Sequence, residues 1–232
     1  VGLGPGSFAD RTSVLPGIDA AKWNHAMKVL WEDMDNDGVL DLVLASRKEG
    51  AEWTAVFWNA GDGTFTGQTL PSGQVALNYL SIGDLDLDGR LDMAAMPDGS
   101  NQSPVVWRNE DREQPEFVDV AGAFGLTTSI PSEVFTIQMT DLVYPQSSPD
   151  GDGIPDLFIG RPQTGVPHFY ENRLAQSASP KWLGVKLTSS NFQNKDGVGS
   201  VIEVVVPGAG NPDLTLARPF GGASGGSPSD AG

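Results

Sequence analysis

Apolar residues fall in short runs along this chain, each bounded by turn formers and each too short for a helix. His25, Met27, Val29 and Trp31 alternate on one face, the period of a strand. A polar loop follows, and then the run Leu40-Asp41-Leu42-Val43-Leu44-Ala45. The same order returns twice. Residues 75–83 lead through a polar stretch into Leu91-Asp92-Met93-Ala94-Ala95-Met96, and Phe135–Asp141 lead through another into Asp156-Leu157-Phe158-Ile159-Gly160. Short apolar runs between turn signals predict buried strands.

Each run is followed by a hairpin. Ala55-Val56-Phe57-Trp58-Asn59 passes through Ala60-Gly61-Asp62-Gly63-Thr64 into Phe65. Val105–Asn109 passes through a polar turn into Glu116-Phe117-Val118, and a third hairpin begins at His168-Phe169-Tyr170-Glu171-Asn172. Asn59, Asn109 and Asn172 hold equivalent places. Phe8-Ala9-Asp10-Arg11-Thr12 with Leu15-Pro16-Gly17 resembles Phe117-Val118-Asp119-Val120-Ala121 with Phe124-Gly125-Leu126, and both are expected to join one repeat to the next.

Asp33 to Asp84 is 51 residues, and Asp84 to Asp141 is 57. Such periods indicate a propeller or a similar array, and four strands per unit make a blade. The expectation is an all-β fold over residues 1–178: β-propeller-like blades of four antiparallel strands, about three repeats in an incomplete ring. From Lys181 the period breaks. Trp182–Leu187 and Val201–Val206 predict strands on either side of a turn at Asn194–Ser200, so residues 179–232 are expected to form a small C-terminal β module. Residues 207–232 are rich in Gly, Pro, Ser and Ala, a composition that does not order itself alone.

The polar loops between approach strand and apolar run carry the candidate chemistry. Asp33-Met34-Asp35-Asn36-Asp37-Gly38-Val39-Leu40-Asp41 recurs as Asp84-Leu85-Asp86-Leu87-Asp88-Gly89-Arg90-Leu91-Asp92. Carboxylates at alternate positions, a glycine that lets the backbone turn, and a carboxylate three residues later wrap a cation that prefers oxygen, as Ca2+ does. The ligands expected are Asp33, Asp35, Asp37, the Val39 carbonyl and Asp41; then Asp84, Asp86, Asp88, the Arg90 carbonyl and Asp92. An acidic turn without metal has no need of four like charges within nine residues. An EF-hand needs Glu at position 12 and flanking helices, whereas position 12 here is Leu44, Ala95 or Ile159 and strands follow. The third loop is modified. Asp150, Asp152, the Ile154 carbonyl and Asp156 keep the pattern, and its first place falls either to Asp141 across an insertion, the favoured reading, or to Ser148 in strict register.

Charge and composition narrow the partners. The chain of 232 residues has 14 basic and 30 acidic residues, a formal charge of −16 that three divalent ions would bring only to −10. An acidic surface repels nucleic acid and anionic membranes. No apolar run approaches the ~18 residues of a membrane span. Cysteine is absent, which removes disulfides, thiolate metal sites and a Cys nucleophile. The chain opens on Val1 rather than Met, as expected if a leader has been removed or the piece is excised. His25 and His168 lie in strand-like stretches and read as packed or surface residues, and no nucleophile elbow, P-loop or His-Glu-x-x-His occurs. Most of the six Trp read as blade packing; Trp53, in a variable loop, is the one expected to meet a ligand.

The Asp loops, each followed by an apolar strand and then by the hairpin Asn59-Ala60-Gly61-Asp62-Gly63-Thr64-Phe65 or its counterpart, resemble the FG-GAP/VCBS repeats that build the integrin-α-type β-propeller. Trp182-Leu183 with Asn194-Lys195-Asp196-Gly197-Val198-Gly199 resembles an ASPIC/UnbV module. The first resemblance implies Ca2+ in the loops, a secreted or cell-surface location, and a non-catalytic role in adhesion or scaffolding toward a protein or glycan. Two alternatives remain open. One is a structural subunit of a surface filament or oligomer, whose neighbouring copies complete the open blades; the other is an accessory domain of a glycan-active enzyme.

Overall fold

The computed structural model describes residues 8–18, 25–47, 53–70, 77–97, 101–111, 116–130, 134, 136–141, 153–160, 166–173, 185, 200–206 and 214–219. Apart from one turn of 3-10 helix at Thr12–Val14, the regular elements described are strands. Four of them form an antiparallel sheet in sequential order: β1 (His25–Glu32), β2 (Asp41–Arg47), β3 (Trp53–Asn59) and β4 (Phe65–Thr69). A second sheet repeats the plan with β5 (Leu77–Gly83), β6 (Asp92–Pro97), β7 (Val105–Asn109) and β8 (Phe117–Asp119). In the third, β9 (Thr136–Thr140), β10 (Asp156–Gly160) and β11 (His168–Tyr170) are the strands among the described residues. The sheets stay open, as expected of propeller-like blades.

The blades stack face to face. Strand β5 packs on β1 and β2, and β9 packs on β5 and β6. Val43, Ala45 and Val56 of the first blade meet Met93, Ala95 and Trp107 of the second in one core. Ala94, Met96 and Val106, on the second blade's other face, meet Ile137, Met139, Leu157 and Ile159 of the third. Strands β2 and β6 are therefore covered on both faces, which is why they read as continuous apolar runs, whereas β10 buries Leu157 and Ile159 on one face and leaves Phe158 half-buried on the other. The approach is close where β5 meets β9: a Cβ on Gly83 would stand 3.0 Å from the Met139 sulfur, and Met139 N donates to Ser81 Oγ at 2.9 Å.

Residues 8–18 lie on the outer face of the first blade, where Leu15 and Ile18 pack against Leu42, Leu44, Ala55 and Phe57. Ala121 and Leu126 play the same part between the second and third blades. The two connectors share local geometry: Asp10 Oδ1 accepts from Thr12 N as Asp119 Oδ1 does from Ala121 N, and Gly17 and Gly125 turn at φ +73° and +72°. Their first residues differ. Phe117 is buried in β8, whereas Phe8 is 101% exposed and belongs to no described strand.

Two other expectations need correction. A bulge between Ala26 and Lys28 interrupts the alternation that runs from His25 to Trp31. Val29 and Trp31 do share a face, but it is the outer one, where they are 51% and 46% exposed while Leu30 between them is buried. The second correction is in the tail. Leu214–Pro219 is a strand (β13) paired along its length with β12 (Val201–Val206). Averaged Gly and Pro content hid the apolar Leu214 and Leu216, and a strand neighbour supplies the pairing that the segment lacks alone. The proposed strand at Trp182–Leu187 and the turn at Asn194–Ser200 lie almost wholly outside the described residues.

Candidate metal centres

Each Asp loop joins the edge strand that opens its sheet to the apolar strand beside it. Its backbone takes the left-handed turn twice, at Asn36 (φ +58°) and Gly38 (φ +90°), and again at Leu87 (φ +58°) and Gly89 (φ +87°). No atom stands where a Gly38 Cβ would lie, so glycine is required for its backbone conformation and not for space. The first aspartate gathers the turn. Asp33 accepts from Asp37 N at 3.0 Å and Gly38 N at 3.2 Å; Asp84 accepts from Asp88 N at 3.0 Å and Gly89 N at 2.9 Å. The turn brings one carboxylate oxygen from each of Asp33, Asp35 and Asp37 within 4.8 Å of one another, and does the same for Asp84, Asp86 and Asp88.

The ninth-position aspartates, each the first residue of its strand, tie the loop to the sheet. Asp41 Oδ2 accepts from Met34 N at 3.0 Å and its Oδ1 from Asn59 N at 2.8 Å. Asp92 accepts from Leu85 N and Asn109 N, both at 2.9 Å. Asp156 Oδ1 accepts from Asn172 N at 2.9 Å. Val39 and Arg90, expected to offer carbonyls, donate their own N–H groups back to Asp37 and Asp88.

The electrostatics follow from gathering like charges out of water. Burial pushes the Asp41 and Asp92 carboxyls up to about 7 and Asp84 up to about 6; backbone donors oppose the rise and neighbouring aspartates add to it. Asp35 and Asp86 are raised too, by burial first and then by Asp37 and Asp88. Asp86 Oδ1 is buried with no hydrogen-bond donor. A buried anionic oxygen without a partner is costly, and a cation satisfies it. The donor set is entirely oxygen, which suits a hard divalent ion.

In the third loop Gly153, at φ +80°, donates to Asp141 Oδ2 at 2.7 Å, the bond that Gly38 makes to Asp33 and Gly89 to Asp84. Asp141 therefore holds the structural place of the first aspartate across the longer connection. Ile154 and Asp156 are buried beside it; Asp150, Asp152 and Ser148 lie outside the described residues.

Three features of the site go beyond the sequence reading. Two of the repeat asparagines reach into the preceding loop, Asn109 Nδ2 donating to the Met34 carbonyl and Asn172 Nδ2 to that of Leu85, while Asn59 Nδ2 donates to that of Leu40 in its own. Asn36 Nδ2 donates to the Gly89 carbonyl at 3.1 Å, joining the first two loops directly. Arg90, expected to act through its carbonyl, sets its guanidinium on Asp88. The recurring Asn signals the first of these, and the left-handed turn at Asn36 marks the second. Of the other residues singled out, His168 stacks on Tyr170 with 13° between the rings, and Trp53, expected in a variable loop, is instead the first residue of β3, paired with Ser46; its side chain and that of His25 lie outside the described residues.

Open antiparallel sheets, each with an aspartate loop between its first and second strands, define the chain as a β-repeat protein with paired acidic centres. Residues 33–95, from the first aspartate of the first loop into the apolar strand of the second blade, match the FG-GAP-like repeat. No curated protein matches the chain.

Proposed function

We propose that the chain is a calcium-binding, non-catalytic module of FG-GAP repeats that works outside the cell, secreted or at its surface, and holds a protein or glycan there. The observation that carries this reading is the duplication of one aspartate cluster at the same place in successive blades. Asp33, Asp35, Asp37, the Val39 carbonyl and Asp41 would hold one ion, and Asp84, Asp86, Asp88, the Arg90 carbonyl and Asp92 a second. Asp141, Asp150, Asp152, the Ile154 carbonyl and Asp156 are the candidates for a third. Bound calcium supplies positive charge that lets these carboxylates stay ionised together. Modules of low affinity fill in calcium-rich surroundings outside the cell, which supports the location. Calorimetric titration with Ca2+ tests the reading: at least two ions should bind, with one lost in Asp37→Ala and one in Asp88→Ala. No heat, or a stoichiometry unmoved by either change, overturns it.

A second reading is favoured by the exposed end of the stack. Val29 and Trp31 stand open, whereas Leu80 and Ile82, their counterparts one repeat later, pack into the core between blades. In this reading a neighbouring copy covers the end blade and the chain is a structural subunit. Sedimentation with and without chelator separates the two, since only the second requires assemblies above monomer mass.

A further inference from the structure

A row of hydrogen bonds runs through all three loops, and the second residue of each of the first two is its joint. Met34 N donates to Asp41 Oδ2 at 3.0 Å, while the Met34 carbonyl accepts from Asn109 Nδ2 at 3.2 Å. Asn109 N donates to Asp92 Oδ1, and the other oxygen of Asp92 accepts from Leu85 N, both at 2.9 Å. The Leu85 carbonyl accepts from Asn172 Nδ2 at 2.8 Å, and Asn172 N donates to Asp156 Oδ1 at 2.9 Å. The path from the first loop to the third has no gap. Asn36 adds a parallel bridge to Gly89 between the first two.

We propose that this row couples the loops, so that a cation in the first raises the affinity of the second, with Asn109 as the positioning residue. The proposal rests on the metal reading above and adds to it how the sites communicate. Met34 lies between Asp33 and Asp35, and Leu85 between Asp84 and Asp86, so fixing two aspartates on an ion fixes the joint between them. A fixed Met34 carbonyl holds the Asn109 amide. Asn109 N then holds Asp92, and Asp92 holds Leu85. Ordering achieved at one loop need not be repeated at the next, and this gives positive coupling without a change of shape. Asn109 is fully buried, so water does not replace its bond to Met34. Asparagine is the side chain for this place, because its amide reaches the preceding loop while its backbone N–H serves its own blade; an aspartate would set a carboxylate against the Met34 carbonyl.

The test is calorimetric titration of the full chain with calcium, as wild type and as Asp35→Ala, in each of three backgrounds: native, Asn109→Ala and Asn36→Gly. Asp35→Ala disables the first loop and leaves the second to be measured. In the native background it should weaken the second loop about fivefold or more, the low end of ordinary coupling between sites. In Asn109→Ala that weakening should shrink toward nothing. In Asn36→Gly, where glycine accepts the left-handed turn, it should shrink in part, and this variant carries the test if Asn109→Ala does not fold. Equal affinity of the second loop with and without Asp35→Ala overturns the coupling and leaves the metal reading standing. Undiminished coupling in the folded Asn variants overturns the path assigned to it. No calcium heat in the native chain overturns the metal reading, and the coupling with it.

Discussion

Arg90 lays its guanidinium on the Asp88 carboxylate, and its Nε donates to the Asn109 carbonyl at 2.6 Å. The first loop has Val39 at this place and no cationic side chain of its own. The second loop thus carries a counter-charge, and Arg108 acts on Asp86 in the same sense. A cation entering it competes with Arg90. The first loop is therefore expected to bind more tightly. Arg90→Val, made with Asp35→Ala so that only the second loop is read, should tighten calcium binding roughly two- to fivefold, the worth of a partly exposed ion pair. Weaker binding would show that the guanidinium holds the loop in shape instead.

The pH response of the cation-free chain follows from its raised carboxyls. Asp41 and Asp92 titrate at about 7 and Asp84 at about 6 when folded, against an ordinary value of 3.8. Through that window the folded chain holds protons that the unfolded chain has released, so stability is greatest on the acid side and falls as pH rises toward 7. Asp10 and Asp62, held low by Thr12 and Thr64, act only below it. In chelator, Tm should be higher at pH 5 than at pH 8. With calcium the difference should flatten or reverse, because protons compete for the same oxygens. Thermal melts in both conditions check this, and a cation-free Tm that climbs toward pH 8 would count against the buried aspartates.

Removing calcium should cost stability in proportion to the sites emptied. An ion at a hundred times its Kd adds about 2.7 kcal/mol, worth about 5–10 °C in a chain of this size. Calcium should raise Tm by at least that much. Asp37→Ala and Asp88→Ala should each abolish one share of the rise, as read by scanning calorimetry at fixed calcium.

Leu87 holds the same left-handed turn as Asn36, φ +58° in both. The conformation costs a residue such as leucine roughly 1 kcal/mol, and asparagine adopts it readily. Leu87→Asn should stabilise the cation-free chain by about that amount, seen as a higher urea midpoint with unchanged slope. A lower midpoint would mean that the Leu87 side chain contributes more by packing than its backbone loses.

Much of the blade plan is legible in the sequence because each apolar strand buries its core positions and starts at an aspartate with a fixed place: Asp41, Asp92 or Asp156. What stays hidden depends on partners that are distant in sequence. The recurrence of Asn59, Asn109 and Asn172 is visible, but the carbonyl that Asn109 meets is 75 residues away and that of Asn172 is 87 away. Periodicity puts Val29 and Trp31 on one face without saying which side that face looks to. The loop pattern assigns Arg90 a carbonyl and is silent about a guanidinium that folds back on Asp88. Strand β13 is hidden for a different reason, since its alternation is six residues long inside a segment dominated by glycine and proline.

The bond from Gly153 to Asp141 closes the third loop across twelve positions of sequence, where Gly38 and Gly89 close theirs across five. A closure of that span sets no length for the sequence between Asp141 and Asp150, so an insertion there need not shift β9 against β10. A foreign epitope grafted into 142–149 should be displayed on an intact blade, which makes this interval the natural place for the molecule to acquire new specificities.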